Sequence, residues 1–240
     1  MRLDKLISDC GVATRKEAAS AVRAGQATVN GNVVREPDRK VDPGLDVVVF
    51  RGIPLVYRRF VYVMLNKPTG YVSATDDRSL PYVLELLPPE YRKRGLFPVG
   101  RLDRDTTGLF VMTDDGQTAH RALSPRRHVE KVYSFTCIAP LPLDAEAAFA
   151  DGITLGDETC KPALLKPASD RLSGTVTLTE GKYHQIKRMF ERLGNKITSL
   201  KRETFAGIAL DPALAPGEWR ELTERETETL LSAAGTDKPE

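Results

Sequence analysis

Residues 100–109, Gly-Arg-Leu-Asp-Arg-Asp-Thr-Thr-Gly-Leu, hold two carboxylates, two arginines and two hydroxyls between glycines, just ahead of an apolar run. Cations beside a carboxylate favour its charged form, which suits a nucleophile or a base. Loops carried by a rigid sheet are where such groups concentrate. The Asp103-x-Asp105 spacing also admits a metal or sugar-nucleotide site, but no third ligand cluster accompanies it. A surface turn with incidental ion pairs has the same composition, so this loop alone does not decide. Two further segments bear on it. Lys131 and Tyr133 stand two apart in an alternating stretch, hence on one face of a strand. A tyrosine there can stack on a nucleobase and keep its hydroxyl for chemistry, or simply pack in a core. Residues 180–189, Glu-Gly-Lys-Tyr-His-Gln-Ile-Lys-Arg-Met, set a basic, amide-bearing turn at a helix start. The apolar stripe of that helix, Ile186, Met189, Phe190 and Leu193, must face inward. Lys187 and Arg188 are left off the core face, for a ligand or for water.

The surrounding pattern supplies the elements that would carry these groups. Val61–Leu65 is a continuous apolar strand, stopped by the turn Asn66-Lys67-Pro68-Thr69-Gly70. Val83, Leu86 and Leu87 mark a helix that Pro88-Pro89 closes. Gly108–Thr113 is a second apolar strand, followed by Asp114-Asp115-Gly116 and a short helix. Glu130–Ile138 and Gly174–Glu180 alternate as strands. Many strands with few helices between them predict an α+β domain around a largely antiparallel, mixed sheet.

Ahead of that domain lies a compact α/β module. Leu3, Leu6 and Ile7 fall on one face of a helix that Cys10-Gly11 ends. Thr14 and Glu17 have capping-box spacing for a second helix. On it Arg15, Ala19 and Arg23 share one face, while Ala18 and Val22 lie on another. Asn30-Gly31 is a strong hairpin turn between two strand-like triplets. Periodicity lapses from about Arg51 to Phe60, as in a linker. The division predicted is a module with its linker over 1–58, a larger domain over 59–234 and a disordered tail over 235–240.

The formal net charge of +2 is too small to point to a polyanion. Its distribution says more, because residues 1–58 hold ten Lys or Arg against seven Asp or Glu. The positive excess sits in the N-terminal quarter. Three separated cysteines, Cys10, Cys137 and Cys160, make no disulfide framework, and His120, His128 and His184 are equally scattered, so no metal site is expected. With no apolar run long enough for a bilayer and no signal-like start, a reducing, cytoplasmic location is expected.

Taken in order, these segments resemble the pseudouridine synthases, in the form carried by the bacterial RsuA family. Gly100–Leu109 is similar to the family's aspartate-bearing signature. Asn66-Lys67-Pro68-x-Gly70 stands upstream as in the family, Lys131-x-Tyr133 downstream, then Glu180–Met189 and a closing segment over Leu214–Thr223. Residues 1 to about 50 resemble the small RNA-binding domain of ribosomal protein S-four. The likeness covers nearly the whole chain.

The resemblance implies site-specific isomerisation of uridine to pseudouridine in ribosomal RNA, most like the enzyme of small-subunit 16S RNA. It implies no cofactor and no metal, and a monomer acting on ribosomal RNA or a small-subunit assembly particle, away from membranes. It assigns Asp103 as the catalytic aspartate and Tyr133 as the tyrosine that stacks on the base and is implicated in proton removal. Lys187 becomes the cation paired with the carboxylate. Arg101 helps fill the space left by the flipped nucleotide, and Leu200 lines the base pocket. Arg15, Lys16, Arg23, Lys67, Lys131 and Arg188 are expected to hold the RNA. A non-catalytic rRNA-binding assembly factor would account for the N-terminal module, but not for Asp103, Tyr133 and Lys187 in ordered motifs. A metal-dependent Asp-x-Asp transferase lacks further ligands.

Overall fold

The computed structural model describes residues 1–124 and 126–236. Two compact units emerge: Met1–Val61 together with Leu84–Phe97, and Tyr62–Val83 together with the chain from Pro98 onward.

The first unit opens with α1 (Leu3–Asp9) and α2 (Arg15–Arg23). Leu3, Leu6 and Ile7 are buried on α1, and Ala18, Ala21 and Val22 on α2. The capping box forms: Glu17 N–H donates to the Thr14 hydroxyl, and Thr14 N–H donates to the Glu17 carboxylate at 2.8 Å. Four short strands follow, β1 (Ala27–Val29), β2 (Asn32–Val34), β3 (Val48–Phe50) and β4 (Ile53–Pro54), in the order β2-β1-β3-β4. Asn30 and Gly31 both have positive φ, 51° and 80°, as the tightest hairpin turn requires. The expected linker begins too early, because Ile53–Pro54 turns back through Gly52 to pair with β3.

A second correction concerns Pro88-Pro89. These prolines start a helix, α3 (Pro89–Arg94), instead of ending one, and Val83–Leu86 makes only a 3₁₀ turn. Proline suits a first helical turn, where its missing N–H would have no partner. The segment belongs with the first unit, whereas the sequence placed it in the larger domain. Arg94 donates to the carbonyls of Asp9, Arg58 and Arg59, and Gly11 lies so close to Glu90 that a β-carbon would strike its carbonyl.

The second unit is built on one mixed sheet. The strands are β5 (Tyr62–Lys67), the two-residue β6 (Phe97–Pro98), β7 (Thr107–Thr113), β8 (Lys131–Cys137), β9 (Thr154–Leu155), β10 (Glu158–Thr159), β11 (Leu164–Pro167), β12 (Ser173–Leu178), β13 (Ile197–Phe205), β14 (Ile208–Ala209) and β15 (Trp219–Glu221), of which β9 and β10 pair only with each other as a separate hairpin. The main path runs β11-β12-β8-β13-β7-β5-β15. Along it only β13 and β7 run parallel. β5 outlasts its apolar run, because Asn66 and Lys67 continue the ladder opposite Leu109 and Gly108.

Four helices complete the unit: α4 (Gly116–Leu123), α5 (Ala145–Asp151), α6 (Gln185–Arg192) and α7 (Glu224–Ala234). Asp115 caps α4 by accepting from the N–H groups of Gln117 and Thr118. Ile186, Met189 and Phe190 bury the inner face of α6, and Phe190 meets Phe135 and Phe149 edge-to-face. Gly235 caps α7 in the left-handed region, and Thr236 N–H donates to Leu231. The start of the expected disordered tail is therefore helix cap, and 237–240 lie outside the described residues. No helix among the described residues is long and apolar enough to cross a membrane.

Candidate active site

Asp103 sits in a loop laced to the segment 67–73. Both backbone groups of Leu102 meet Ser73: its N–H donates to the Ser73 hydroxyl at 2.9 Å, and its carbonyl accepts from that hydroxyl at 2.7 Å. Gly70 N–H donates to the Arg104 carbonyl at 2.8 Å. Lys67, at the end of β5, donates its ammonium to the carbonyls of Pro68, Arg104 and Thr106 at 3.1, 3.2 and 2.9 Å. Thr106 N–H closes the turn on the Asp103 carbonyl. The loop then enters β7, whose second residue Gly108 has φ 96° and stands where any β-carbon would run into the Arg202 carbonyl of β13. Only glycine allows the two parallel strands to approach there.

Those strands bring the cation to the carboxylate. Lys187, in the first turn of α6, stands 2.9 Å from Asp103 Oδ2 and 2.5 Å from Asp105 Oδ1. Burial works to lower the Lys187 ammonium, but its bonds to the two aspartates outweigh it, and the net shift is upward. Burial likewise works to raise Asp105, yet Lys187 holds it below the usual carboxylate range. His184 Nε2 lies 3.5 Å from Asp103 Oδ1.

Around this pair opens a cleft of about 1000 Å³, with Arg101, Lys131, Tyr133, His184 and Arg202 in its walls. Tyr133, on β8, is 8% exposed and lies directly opposite Arg202 in the ladder. Arg202 is buried, donates through Nε to the Leu109 carbonyl at 2.8 Å, and lies over the rings of Phe205 and Phe110. Burial pushes it below the ordinary arginine range, with Tyr133 beside it working the other way. Burial also pushes Lys67 down to about 8, against the pull of Asp105 and Asp103. Lys131, half-buried near Arg202, is likewise pushed down to about 8.

Of the residues chosen from sequence, Asp103, Tyr133, Arg101 and Lys131 line the cleft, and Lys187, outside its wall, is tied to it through Asp103. The other three candidates of the second unit do not line it. Lys67, expected to touch RNA, is fully buried and braces the loop. Leu200 is buried in β13 opposite Phe135 and lies outside the cleft wall, where Arg202, two positions on, takes its place. Arg188 reaches toward the carbonyls of Tyr183 and Leu155, beside a separate hollow shared with Arg192. Arg15, Lys16 and Arg23 are exposed on α2 of the first unit. Arg202 and His184 were missed. The signal for Arg202 was a charge two positions from Leu200, on the buried phase of a strand. His184 lies in the basic turn at 180–189, where its residue type alone assigns it no role.

Residues 61–192 match the family model described as RNA pseudouridylate synthase, and residues 1–47 match the S4 domain. The ribosomal small subunit pseudouridine synthase A of Escherichia coli strain K12 is 45% identical over 237 residues, covering 96% of this chain and 100% of that one. An RNA pseudouridine synthase of Bacillus subtilis strain 168 is 42% identical over 234 residues, covering 96% and 98%. A crystal structure of a pseudouridylate synthase superposes with a TM-score of 0.68 at 39% identity, covering 96% of this chain and 99% of the other. With an S4 domain ahead of a catalytic domain that carries the aspartate loop, this chain belongs to the RNA pseudouridine synthase family.

Proposed function

We propose that this pseudouridine synthase isomerises a uridine of small-subunit ribosomal RNA, with Asp103 as its catalytic carboxylate. The observation that carries the assignment is Asp103, which lines a cleft together with Tyr133 and is paired at 2.9 Å with Lys187. The reaction breaks the bond from ribose to ring nitrogen, turns the uracil and rejoins it through carbon five. A carboxylate serves either as a nucleophile or as the acceptor of a sugar proton. The uracil must first leave its stack. Tyr133 then offers an aromatic face to the base, Lys187 supplies the counter-charge that fixes the carboxylate, and Arg101 fills the space the nucleotide vacates. Arg15, Lys16 and Arg23 hold phosphates of the same RNA, a sequence-blind contribution. The choice of small-subunit RNA, as free RNA or assembly particle, is supported by what the Escherichia coli relative is named for. The enzyme acts as a monomer in the cytoplasm.

A metal-dependent transferase is disfavoured by the lysine itself. Lys187 bridges Asp103 and Asp105 where a divalent cation would have to sit. The test is to map pseudouridine in ribosomal RNA from cells lacking this gene and resupplied with variants. Asp103→Asn should restore none while binding RNA within a few-fold of wild type, and Asp105→Asn should restore most. Full modification by Asp103→Asn removes the assignment, and equal loss at both positions favours the metal reading.

A further inference from the structure

The turn ahead of α6 breaks two local rules at one residue. His184 occupies the N-cap position with φ 47° and ψ 34°, the left-handed region that a β-carbon disfavours. Helices prefer Ser, Thr, Asp or Asn there, with a side chain closing on the first free N–H groups, and the imidazole closes on none. Elsewhere the same chain supplies such caps, at Thr14, Asp115 and Thr223. Strained backbone persists where the surroundings enforce it, and it gathers at functional sites.

The side chain shows what the strain secures. The imidazole lies flat on the Tyr183 ring, with centroids 3.9 Å apart and planes 17° from parallel. Its Nε2 stands 3.5 Å from Asp103 Oδ1, while Lys187, one turn further along, takes Oδ2 at 2.9 Å. Each carboxylate oxygen therefore has its own nitrogen, both from the same turn of chain. Lys187 is shared with Asp105, so its pull alone does not select one direction for Asp103. The terminal torsion of an aspartate is broad and needs a second contact to be fixed.

We propose that His184 is a positioning residue for Asp103, holding Oδ1 while Lys187 holds Oδ2, so that the carboxylate plane is set before the base arrives. Tyr183 is the brace. It is 75% exposed, so burial does not explain its place, and its ring keeps the imidazole turned toward the aspartate. This rests on the reading of Asp103 as the catalytic group.

The experiment improves the helix start while deleting the contact. Asn tolerates the left-handed region and is a favoured cap, so His184→Asn should melt at or above the wild-type temperature. Its single-turnover rate, at saturating RNA carrying the uridine that the wild-type enzyme modifies, should fall about tenfold or more, because misdirected reacting groups cost rate. KM for that RNA should barely move. His184→Gln, whose amide can still donate toward Oδ1, should recover most of the rate. Tyr183→Phe should keep it, and Tyr183→Ala should lose part of it. A His184→Asn enzyme with the wild-type rate overturns the proposal, as does a defect confined to KM and cured by saturating RNA. Asp103→Asn, run alongside, tells the two readings apart. If it turns over normally, the catalytic assignment falls and this one with it; if it is dead beside an unimpaired His184→Asn, only the positioning role falls.

Discussion

Lysine and arginine do opposite work in the two units. In the first, Arg15, Lys16 and Arg23 stand in solvent on α2, above an inner face of alanine and valine. In the second, Lys67 and Arg202 are among the most buried large side chains of the described residues, and Lys131 is half-buried. An exposed cation attracts phosphate, weakly for each contact and subject to salt. A buried one costs solvation and remains only where it holds carbonyls, rings or carboxylates in place. The charge count along the chain therefore points to the N-terminal module, although the cations nearest the cleft are all in the unit with no positive excess.

The sharpest break in that comparison is Lys67→Met. Losing three bonds to the loop carbonyls leaves the loop free to shift, and a misplacement of about 1 Å costs on the order of a hundredfold in rate. KM for RNA should change little. A Lys67→Met enzyme with normal turnover but weak RNA binding would return Lys67 to the exposed class.

A second, intermediate effect concerns pH. Lys131, like Lys67, is pushed by burial to about 8 from the 10.5 of an ordinary lysine. Between those values the unfolded chain holds a proton that the folded chain has released, so this contribution to stability rises with pH, in the same direction as for a salt-bridged carboxylate but in an alkaline window. Urea midpoints of wild type and Lys131→Met, taken at about pH 7.5 and about pH 9.5, should shift in favour of wild type at the higher pH. A difference that stays constant with pH would mean that Lys131 keeps its charge in water.

The smallest effect belongs to the first unit. Replacing Arg15, Lys16 and Arg23 together by alanine should leave the rate at saturating RNA unchanged and raise KM at low salt. The log–log slope of RNA affinity against salt should shrink by roughly two to three. A lost rate with an unchanged slope would put these residues in the other class. Point substitutions are the right tool here, because a cut after residue 58 would strip α3 of the carbonyls and the glycine it rests against.

How much could be read beforehand follows from the range of the forces involved. The Thr14–Glu17 box, the Asn30-Gly31 turn and the stripe of α6 are local, and each stands where its spacing put it. The Thr223–Glu226 box opening α7 was equally legible and was overlooked. Pro88-Pro89 misled because proline both ends and begins helices, and only the neighbours decide. At the site, the motif order singled out Asp103, Tyr133 and Lys187. It could not tell that Lys67 points inward or that Arg202 and not Leu200 reaches the cleft, since both depend on which strands lie side by side.

The parallel contact of β13 with β7 also sets an order in time. Thr107 finds its partner only when Lys201 has been made, and α6, which carries Lys187, is anchored just ahead of that strand. Pairings between distant stretches of chain form late, after local helices and hairpins. A ribosome therefore extrudes the aspartate loop well before Lys187, and the Asp103–Lys187 pair can close only after the chain that carries α6 has followed it.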